Sequence, residues 1–383
     1  MNTLTSLIPD LYAALHVVSR EITGFLPAIT LNPGVERAAV GQTVRIPYAP
    51  AAAAEDITPA TTPPDTGDQV FGNMNFTMTK SRAVPFRWTG EEVKGLANNG
   101  PGQLTLKQQQ IAQAFRTLIN EMEADIAANY FYASRAYGTA GTNPFATNIN
   151  PLAEGRKILI DNGCPENDVH LVMDTVAGVG MRTLANLYKV NEAGDQGLLR
   201  QGVLTNLFGI DIRESAQVVR HTAGTGANTY QLNGAHALNA TTLNLDTGAG
   251  TILAGDVITI ANGTPADTNK YVVNTALAAG SLTLGALGPG LLSSHVDNDV
   301  VILGAAYRAN MLFHRSAIIG AIRPPALPEE GDMAADRMLI TDPRTGITFE
   351  IAMYLQYRRV RFEISATWGF KTINPRHVAI LLG

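Results

Sequence analysis

The sequence has little charge. Lys, Arg, Asp and Glu together make up 16% of its 383 residues, against about 25% in a typical soluble domain. A monomer so poor in charge would expose a bland, adhesive surface, so we expect other subunits to cover much of its exterior. A lightly charged extracellular protein would have a similar composition. The net charge of -5 argues against a broad basic face that grips nucleic acid.

Cysteine is nearly absent, because Cys164 is the only one. A single cysteine excludes an internal disulfide framework, and we expect Cys164 to be a small apolar residue near a turn. The stretch MNTLTSLIPDLYAAL has no basic region, so no secretory signal is predicted. Apolar runs of about 18 residues are also missing, because Gly, Ser, Thr and Pro interrupt the most apolar tracts. We therefore expect a protein made and kept in a cytoplasm, with no membrane partner.

Motifs for catalysis are missing as well. The histidines are scattered singly, without the HxxxH or HxH spacing of a metal site. The sequence contains neither a GxxxxGK[ST] phosphate loop nor a G-x-S-x-G nucleophile elbow. GTGANT at Gly224 lacks the third glycine of a dinucleotide motif and opens a β segment, so its signal is very weak. The sequence predicts no enzyme, and no catalytic, cofactor or metal site.

The first part of the chain predicts an arm, a hairpin and a long helix. Residues 3–23 carry apolar residues at helical spacing, and the segments QTVRIPY and NMNFTMTKSRAVPFRW alternate like strands. Between these strands lies the acidic loop, residues 49–69, which predicts either a flexible tip or an arm that orders against a neighbour. From Thr105 to about Tyr137 an apolar stripe predicts one helix of roughly 48 Å. The stripe consists of Ile111, Phe115, Leu118, Met122, Ile126 and Tyr130.

Residues 151–220 predict alternating helices and strands. PLAEGRKILIDNG is typical of a short helix that ends at Gly163, and DVHLVMD of a strand. VAGVGMRTLANLY predicts a second helix, and LFGIDIRES a second strand.

Residues 222–305 differ in composition from the rest, because they contain no Phe, Trp, Met, Cys, Glu or Arg. Five aspartates and one lysine give this segment most of the chain's negative charge. Short strands between turns predict a small antiparallel barrel or sandwich of about five or six strands. The predicted strands are TTLNLD, DVITIAN, KYVVNTAL, SLTLGAL and DVVILGA. Insertions succeed where two chain ends lie close together, so both flanks should belong to one host domain.

One basic cluster has aromatic neighbours, in the stretch QYRRVRF. Such a cluster can stack bases and pair phosphates, but a solvated strand face or a partner for carboxylates across an interface is the favoured interpretation. Charge complementarity predicts that the acidic loop of one subunit docks on this cluster in a neighbour. The candidate contacts are Glu55, Asp56, Asp65 and Asp68 on the loop, and Arg358, Arg359 and Arg361 in the cluster.

Five stretches carry a resemblance to a known family, and they are collinear with it over essentially the whole length. They are VVSREITGFLPA, VERAAVGQTVRIP, LLRQGVLTNLFGIDIRES, NMLFHRSAIIGAIRPP and WGFKTINPRHVAIL. The sequence resembles the major capsid proteins of tailed bacteriophages with the Hong Kong 97 fold. Within that fold it is most similar to the coat proteins of short-tailed phages of the Salmonella type, which carry an inserted β-barrel.

The resemblance implies an α+β fold with an arm, an extended loop, a long spine helix, peripheral and axial domains, and an inserted all-β barrel. The implied divisions are 1–38 for the N-terminal helical arm, 39–90 for the extended hairpin loop, 91–150 for the spine helix and peripheral domain, 151–221 for the first part of the axial domain, 222–305 for the inserted barrel, 306–334 for the axial return, and 335–383 for the closing peripheral strands.

The resemblance also implies a structural protein without enzymatic activity or cofactor. It would assemble as hexamers and pentamers, through a procapsid, into an icosahedral phage head, inside the bacterial host cytoplasm. Its partners would be copies of itself, a scaffolding protein, a portal protein at one vertex, and packaged double-stranded DNA bound non-specifically. Two alternatives stay open: an encapsulin-like compartment, and a glycan-binding or adhesive β protein.

Overall fold

A computed structural model describes residues 24–32, 34, 36–48, 54, 59, 71–99, 103–188, 206–226, 229–262, 266–285, 288–342 and 346–383. The predicted helix over residues 3–23 lies outside these ranges. The helices of the described residues are α1 Gly90–Asn99, α2 Gln103–Ala127, α3 Asn150–Asp161, α4 Thr175–Arg182 and α5 Ala185–Tyr188.

The strands of the same residues follow in chain order. They are β1 Thr30–Asn32, β2 Thr43–Tyr48, β3 Gly72–Thr77, β4 Lys80–Thr89, β5 Arg135–Tyr137, β6 Val169–Met173, β7 Asn206–Leu207, β8 Ile210–Glu214, β9 Arg220–His221, β10 Tyr230–Leu232, β11 Thr242–Asp246, β12 Val257–Ile260, β13 Lys270–Ala278, β14 Ser281–Leu284, β15 Val300–Leu303, β16 Tyr307–His314, β17 Ile318–Arg323, β18 Ala334–Thr341, β19 Thr348–Gln356, β20 Arg359–Thr372 and β21 Val378–Leu382.

The predicted hairpin is present as a separate two-stranded sheet of β2 and β3. The second predicted strand segment breaks after Thr77, and its remainder forms β4, which pairs along its length with β20. β20 is the central strand of a six-stranded sheet, in which it also pairs with β17 and β19. Phe76 and Met78 pack at the hairpin base against Ala321 of β17. The described part of the hairpin is therefore packed against this sheet through β17 and its neighbours.

Helix α2 packs on the six-stranded sheet through the stripe residues up to Ile126, and all six stripe residues, including Tyr130 beyond the helix end, are buried. The helix is shorter than the sequence predicts: it ends at Ala127, a 3-10 turn covers Ala128–Tyr132, and residues 135–137 form β5. Its length is about 37 Å. No Gly or Pro marks this end, because the helix is ended by the pairing of β5 with β13 and β21, which local periodicity cannot reveal.

A second large sheet runs in the order β5, β21, β16, β6, β8 and β7, with β9 beside β16. Helix α3 packs its buried Leu152 and Leu159 in one apolar cluster with Leu312 and Leu381 of this sheet. The predicted helix, strand and strand at α3, β6 and β8 are confirmed. The predicted helix VAGVGMRTLANLY is interrupted, since α4 ends at Arg182 and α5 begins at Ala185.

Two strands lie in a different sheet from the one that the implied divisions suggest. β17 lies in the segment 306–334 but joins the six-stranded sheet, whereas β21 lies in the segment 335–383 but joins the second sheet. The chain thus crosses between the sheets more often than the linear division implies. The sheet that a strand joins is set by pairing with distant segments, and a local apolar pattern does not identify the partner strand.

The inserted segment is a closed barrel, as predicted. Its six strands follow the order β12, β15, β10, β11, β14 and β13, with β13 pairing back to β12, and all pairs are antiparallel. The five predicted strands are all present, and β10 is the sixth. In β12, Ile258 and Ile260 lie in the barrel core, whereas Val257 packs in the cluster around α2. Both faces of this strand are therefore buried.

The barrel is joined to its host along strands and not only by two linkers. β13 pairs with β5, so the barrel is continuous with the second sheet. The strands that lead into and out of it, β9 and β16, pair side by side, with His221 opposite Tyr307. Adjacent chain ends are the geometry that tolerates an insertion.

The carboxylate of Glu123 in α2 binds the start of the described chain. It accepts the backbone N–H groups of Phe25 at 2.8 Å and Leu26 at 2.7 Å, and the Ser215 hydroxyl at 3.0 Å. The side chain is almost fully buried. Burial raises the pKa of Glu123, although these hydrogen bonds oppose the increase.

We expect Glu123→Gln to lower the free energy of unfolding by about 1–3 kcal/mol, since the amide nitrogen cannot accept a hydrogen bond and one N–H is left unpaired. Because the folded pKa is raised, the proton on Glu123 stabilises the wild type at low pH, and this contribution is lost as the pH rises through the folded pKa. The glutamine variant lacks this dependence. Urea unfolding should therefore show a larger difference at pH 5 than at pH 8, and a difference that grows with pH would contradict the assignment.

Candidate inter-subunit contact site

The three candidate arginines lie at one hairpin, which we call the basic tip, residues 355–361. Gln356 of β19 pairs with Arg359 of β20, and Tyr357 and Arg358 form the turn between them. Tyr357 is 87% exposed. Arg358 lies with its guanidinium 5.6 Å from the centre of the Tyr357 ring. The turn therefore presents a cation and an aromatic ring together.

The structure distinguishes among the three arginines. Arg361 forms a salt bridge with Glu363 of the same strand and lies 5.9 Å from the ring of Tyr354. Arg358 and Arg359 are exposed, and neither has an ion pair within the described part of the chain. The charge of Arg361 is thus neutralised inside the subunit, whereas those of Arg358 and Arg359 face solvent.

Apolar side chains extend the basic tip, and sequence reasoning missed them. Leu355 is 50% exposed and Met333, which precedes β18, is 86% exposed. Ala334 pairs with Tyr354, and this register brings Met333 level with Leu355. The sequence did carry a signal for an unusual turn here. The stretch LQYRRV lacks the Gly, Asn or Asp that a two-residue hairpin turn normally needs.

Arg358 adopts a left-handed backbone conformation, with φ at 55°. A non-glycine residue in this region costs about 1 kcal/mol, and such strain is concentrated at functional surfaces. An exposed turn that combines strain, an aromatic ring and exposed cations is a candidate contact surface. The proposed acidic partners Glu55, Asp56, Asp65 and Asp68 lie outside the described residues.

A buried polar chain joins the barrel to the end of α2. His221 Nε2 lies 2.7 Å from Asp256 Oδ1, and His221 Nδ1 lies 2.8 Å from the Tyr130 hydroxyl. Asp256 is fully buried and also accepts the backbone N–H groups of Leu253 and Gly224. Burial and the nearby charge of Asp256 raise the pKa of Tyr130. We call this group the junction network.

Gly255, beside the junction network, accepts a 2.6 Å hydrogen bond from the Tyr307 hydroxyl. Its φ of +92° is in the left-handed region, and a Cβ there would lie 2.7 Å from the Tyr130 ring. Only glycine fits this approach of the barrel to the turn after α2.

Three further sequence predictions concern metal binding, Cys164 and membrane-spanning segments. Within the described ranges, no group of three or more His, Cys, Asp or Glu side chains could hold a metal ion. Burial raises the pKa of the Cys164 thiol to about 11, in keeping with the predicted apolar role. None of the described helices has the length and apolar character needed to cross a membrane.

Comparisons with known proteins find similarity in structure only. No protein-family model matches the sequence, and no curated protein matches it. A chain of the cyanophage P-SCSP1u capsid is 11% identical with a TM-score of 0.49, covering 94% of this chain and 88% of that one. A chain of the bacteriophage PhiM1 mature capsid is 11% identical, with a TM-score of 0.47 over 94% and 86%. A chain of Mycobacterium phage Che8 is 13% identical, with a TM-score of 0.46 over 94% and 90%. The α+β chain with its closed barrel is thus similar to chains from phage particles.

Proposed function

We propose that this chain is the major capsid protein of a tailed bacteriophage, with a Hong Kong 97-like fold. Copies of it assemble as hexamers and pentamers into an icosahedral head that encloses double-stranded DNA. It is a structural protein with no catalytic role and no cofactor. Its location is the virion, after assembly in the bacterial cytoplasm.

The observation that carries this proposal is the chain order of the structural parts. A two-stranded hairpin precedes a 25-residue helix on a six-stranded sheet. A helix-covered second sheet follows, and a closed barrel is inserted between two paired strands of that sheet. This is the order of extended loop, spine helix, axial domain and inserted barrel that the sequence resemblance implies. In the proposal the six-stranded sheet is the peripheral domain and the second sheet the axial domain.

Two features support a role within a shell. The sequence between β2 and β3 is a long acidic loop, of a length suited to contacting a neighbour. The basic tip exposes apolar side chains and two arginines that form no ion pair with any described residue, in a chain with only 16% charged residues. We propose that the acidic loop of one subunit contacts Arg358 and Arg359 of the next, with Arg361 playing a lesser part because Glu363 already pairs with it.

A scaffold-dependent procapsid, a portal protein at one vertex and non-specifically packaged DNA complete the proposal. Electron microscopy of the purified chain, produced with and without its neighbouring genes, tests it. We expect closed icosahedral shells of uniform size only when a scaffolding partner is co-produced. Uniform shells that form alone and enclose protein would replace the proposal with an encapsulin-like compartment. Small oligomers under both conditions would contradict a shell function and favour the adhesive alternative.

A further inference from the structure

One edge of the six-stranded sheet is open beside helix α2. Among the described residues β4 pairs with β20 alone, so its other edge has no partner strand there. A groove of about 690 Å³ lies between β4 and α2, and its apolar lining includes Val84, Phe86, Trp88 and Leu106. Pro85 removes one backbone N–H from the middle of β4. The groove therefore suits an inserted side chain better than an added strand.

Lys107 is a partly buried cation beside this groove. Its ammonium lies 5.9 Å from the centre of the Trp88 ring and 5.8 Å from that of the Phe362 ring. Trp88 also lines the groove, and its Nε1–H donates to the Gln110 side chain at 2.9 Å. Lys107 forms no ion pair with any described residue. The two rings attract the ammonium but do not neutralise its charge. We call Lys107, Trp88 and Phe362 the lysine site.

Lys80, at the other end of β4, shows what a carboxylate partner does on the same sheet. Its ammonium lies 2.7 Å from Asp125 and 3.2 Å from Glu121. Burial disfavours the charge of Lys80, but its hydrogen bonds and ion pairs with these carboxylates outweigh burial and raise its pKa. At Lys107 burial acts alone and lowers the pKa. A carboxylate from outside the subunit would supply the partner that Lys107 lacks.

The lysine site is continuous with the basic tip. Trp88 pairs with Val360, which directly follows Arg359 in β20. The side chains of Trp88 and Val360 face α2, whereas that of Arg359 points to the opposite face, because neighbouring residues of a strand alternate. The two groups of cations therefore lie at the same end of the six-stranded sheet, on either side of it.

The acidic loop carries its carboxylates in two pairs. Glu55 and Asp56 form the first pair, and Asp65 and Asp68 form the second, which lies close in sequence to Phe71. Phe71 is 72% exposed, and aromatic side chains are enriched at protein interfaces. From Asp68 to Phe71 the chain spans at most about 10 Å. An aromatic ring and a carboxylate are thus close enough together to occupy the groove and reach its neighbouring cation.

We propose that the lysine site and its groove form a second contact for the acidic loop of a neighbouring copy. Phe71 of that copy enters the groove beside Trp88, and Asp68 binds the Lys107 ammonium. The first carboxylate pair of the loop remains available to the basic tip. This contact rests on the proposed shell function, because it needs a neighbouring copy.

Carbodiimide crosslinking of assembled shells tests the contact directly. The reagent takes up the water lost when a carboxylate and a lysine amine form an amide bond, and arginines do not react, so Lys107 reports on its own site. Shells assembled from a mixture of isotopically labelled and unlabelled chains distinguish links between copies from links within one. We expect links between copies that join Lys107 to Asp65 or Asp68, at least tenfold above those of Lys94, an exposed lysine of α1.

Two pairs of variants separate the contact from a general effect on folding. Phe71→Ala should reduce the assembled fraction at least threefold, whereas Leu238→Ala, at an exposed site of the barrel segment, should assemble as the wild type. Lys107→Gln should reduce assembly to a similar extent, and Lys107→Arg, which keeps the cation, should assemble nearly as well as the wild type. Circular dichroism checks that each variant is folded.

Each outcome of the crosslinking experiment decides the contact. Shells without a link between copies at Lys107, or with links only to Glu55 and Asp56, would overturn this contact and leave the proposed function in place. Absence of shells under every condition would contradict the proposed function, and this contact with it. Because the crosslink is measured on the wild-type chain, it does not depend on the folding of any variant.

Discussion

Asp256→Asn is expected to lower the free energy of unfolding by about 3 kcal/mol, the upper part of the range for leaving a buried hydrogen-bonding group without its partner. Asp256 is fully buried, and its two oxygens together accept from His221, Leu253 and Gly224. An asparagine has one acceptor oxygen, and its amide would face a backbone N–H, so at least one buried donor loses its partner. Urea unfolding of the unassembled chain, followed by far-UV circular dichroism, measures the change.

Asp246→Asn is the matched control, because it makes the same substitution in the barrel at a side chain whose one hydrogen bond with the described residues is a 3.4 Å contact to Thr247. Its effect should stay within about 0.5 kcal/mol. A loss below 1 kcal/mol for Asp256→Asn would show that the junction network does not hold the barrel to α2.

Replacing both Arg358 and Arg359 by Glu is expected to reduce the assembled fraction at least tenfold without unfolding the subunit. Both side chains are exposed and have no ion pair among the described residues, so the subunit itself loses little. Across an interface the change would place like charges opposite the acidic loop, which costs several kcal/mol. Sedimentation and electron microscopy measure assembly, and circular dichroism checks the fold.

A charge swap separates the proposed pairing from a general effect of the mutation. Reversing Glu55 and Asp56 to Lys in the same chain should restore shells if the acidic loop is the partner. Normal assembly of the double arginine variant would refute a contact at the basic tip. Failure of the swap to restore assembly would mean that Arg358 and Arg359 contact another surface. Arg361→Gln, which removes the pair with Glu363 and the contact with the Tyr354 ring, should assemble with a much smaller loss.

The elements recovered best from the sequence are those with a complete local pattern. The barrel strands were visible because apolar alternation between turn residues needs no distant information. The stripe from Ile111 to Tyr130 identified the buried face of α2, but not the helix end, because β5 is set by its pairing with β13 and β21. The sequence also did not predict which sheet β17 or β21 joins.

The candidate site shows the same difference between what the sequence predicts and what the structure adds. Sequence singled out Arg358, Arg359 and Arg361 as one cluster, whereas the structure separates Arg361, which pairs with Glu363 on the same face of β20. Tyr357 lies in the turn between β19 and β20, and Met333 directly precedes β18. Their exposure depends on where these strands begin and end, which composition does not indicate. In the barrel, composition showed five aspartates but not that the carboxylates of Asp256, Asp267 and Asp299 are buried.

The sequence by itself determined the class of each segment: a low-charge chain without catalytic motifs, a long helix, an α/β part and an all-β insertion. These properties follow from composition and from periods of 2 and 3.6 residues, which each segment carries on its own. Only the tertiary structure decided which charges are neutralised. Glu123 reaches Phe25, and Tyr130, His221 and Asp256 meet, across separations of about 90 to 100 and about 35 residues. Such contacts exist because packing brings distant polar groups into a dry interior, where each must find a partner.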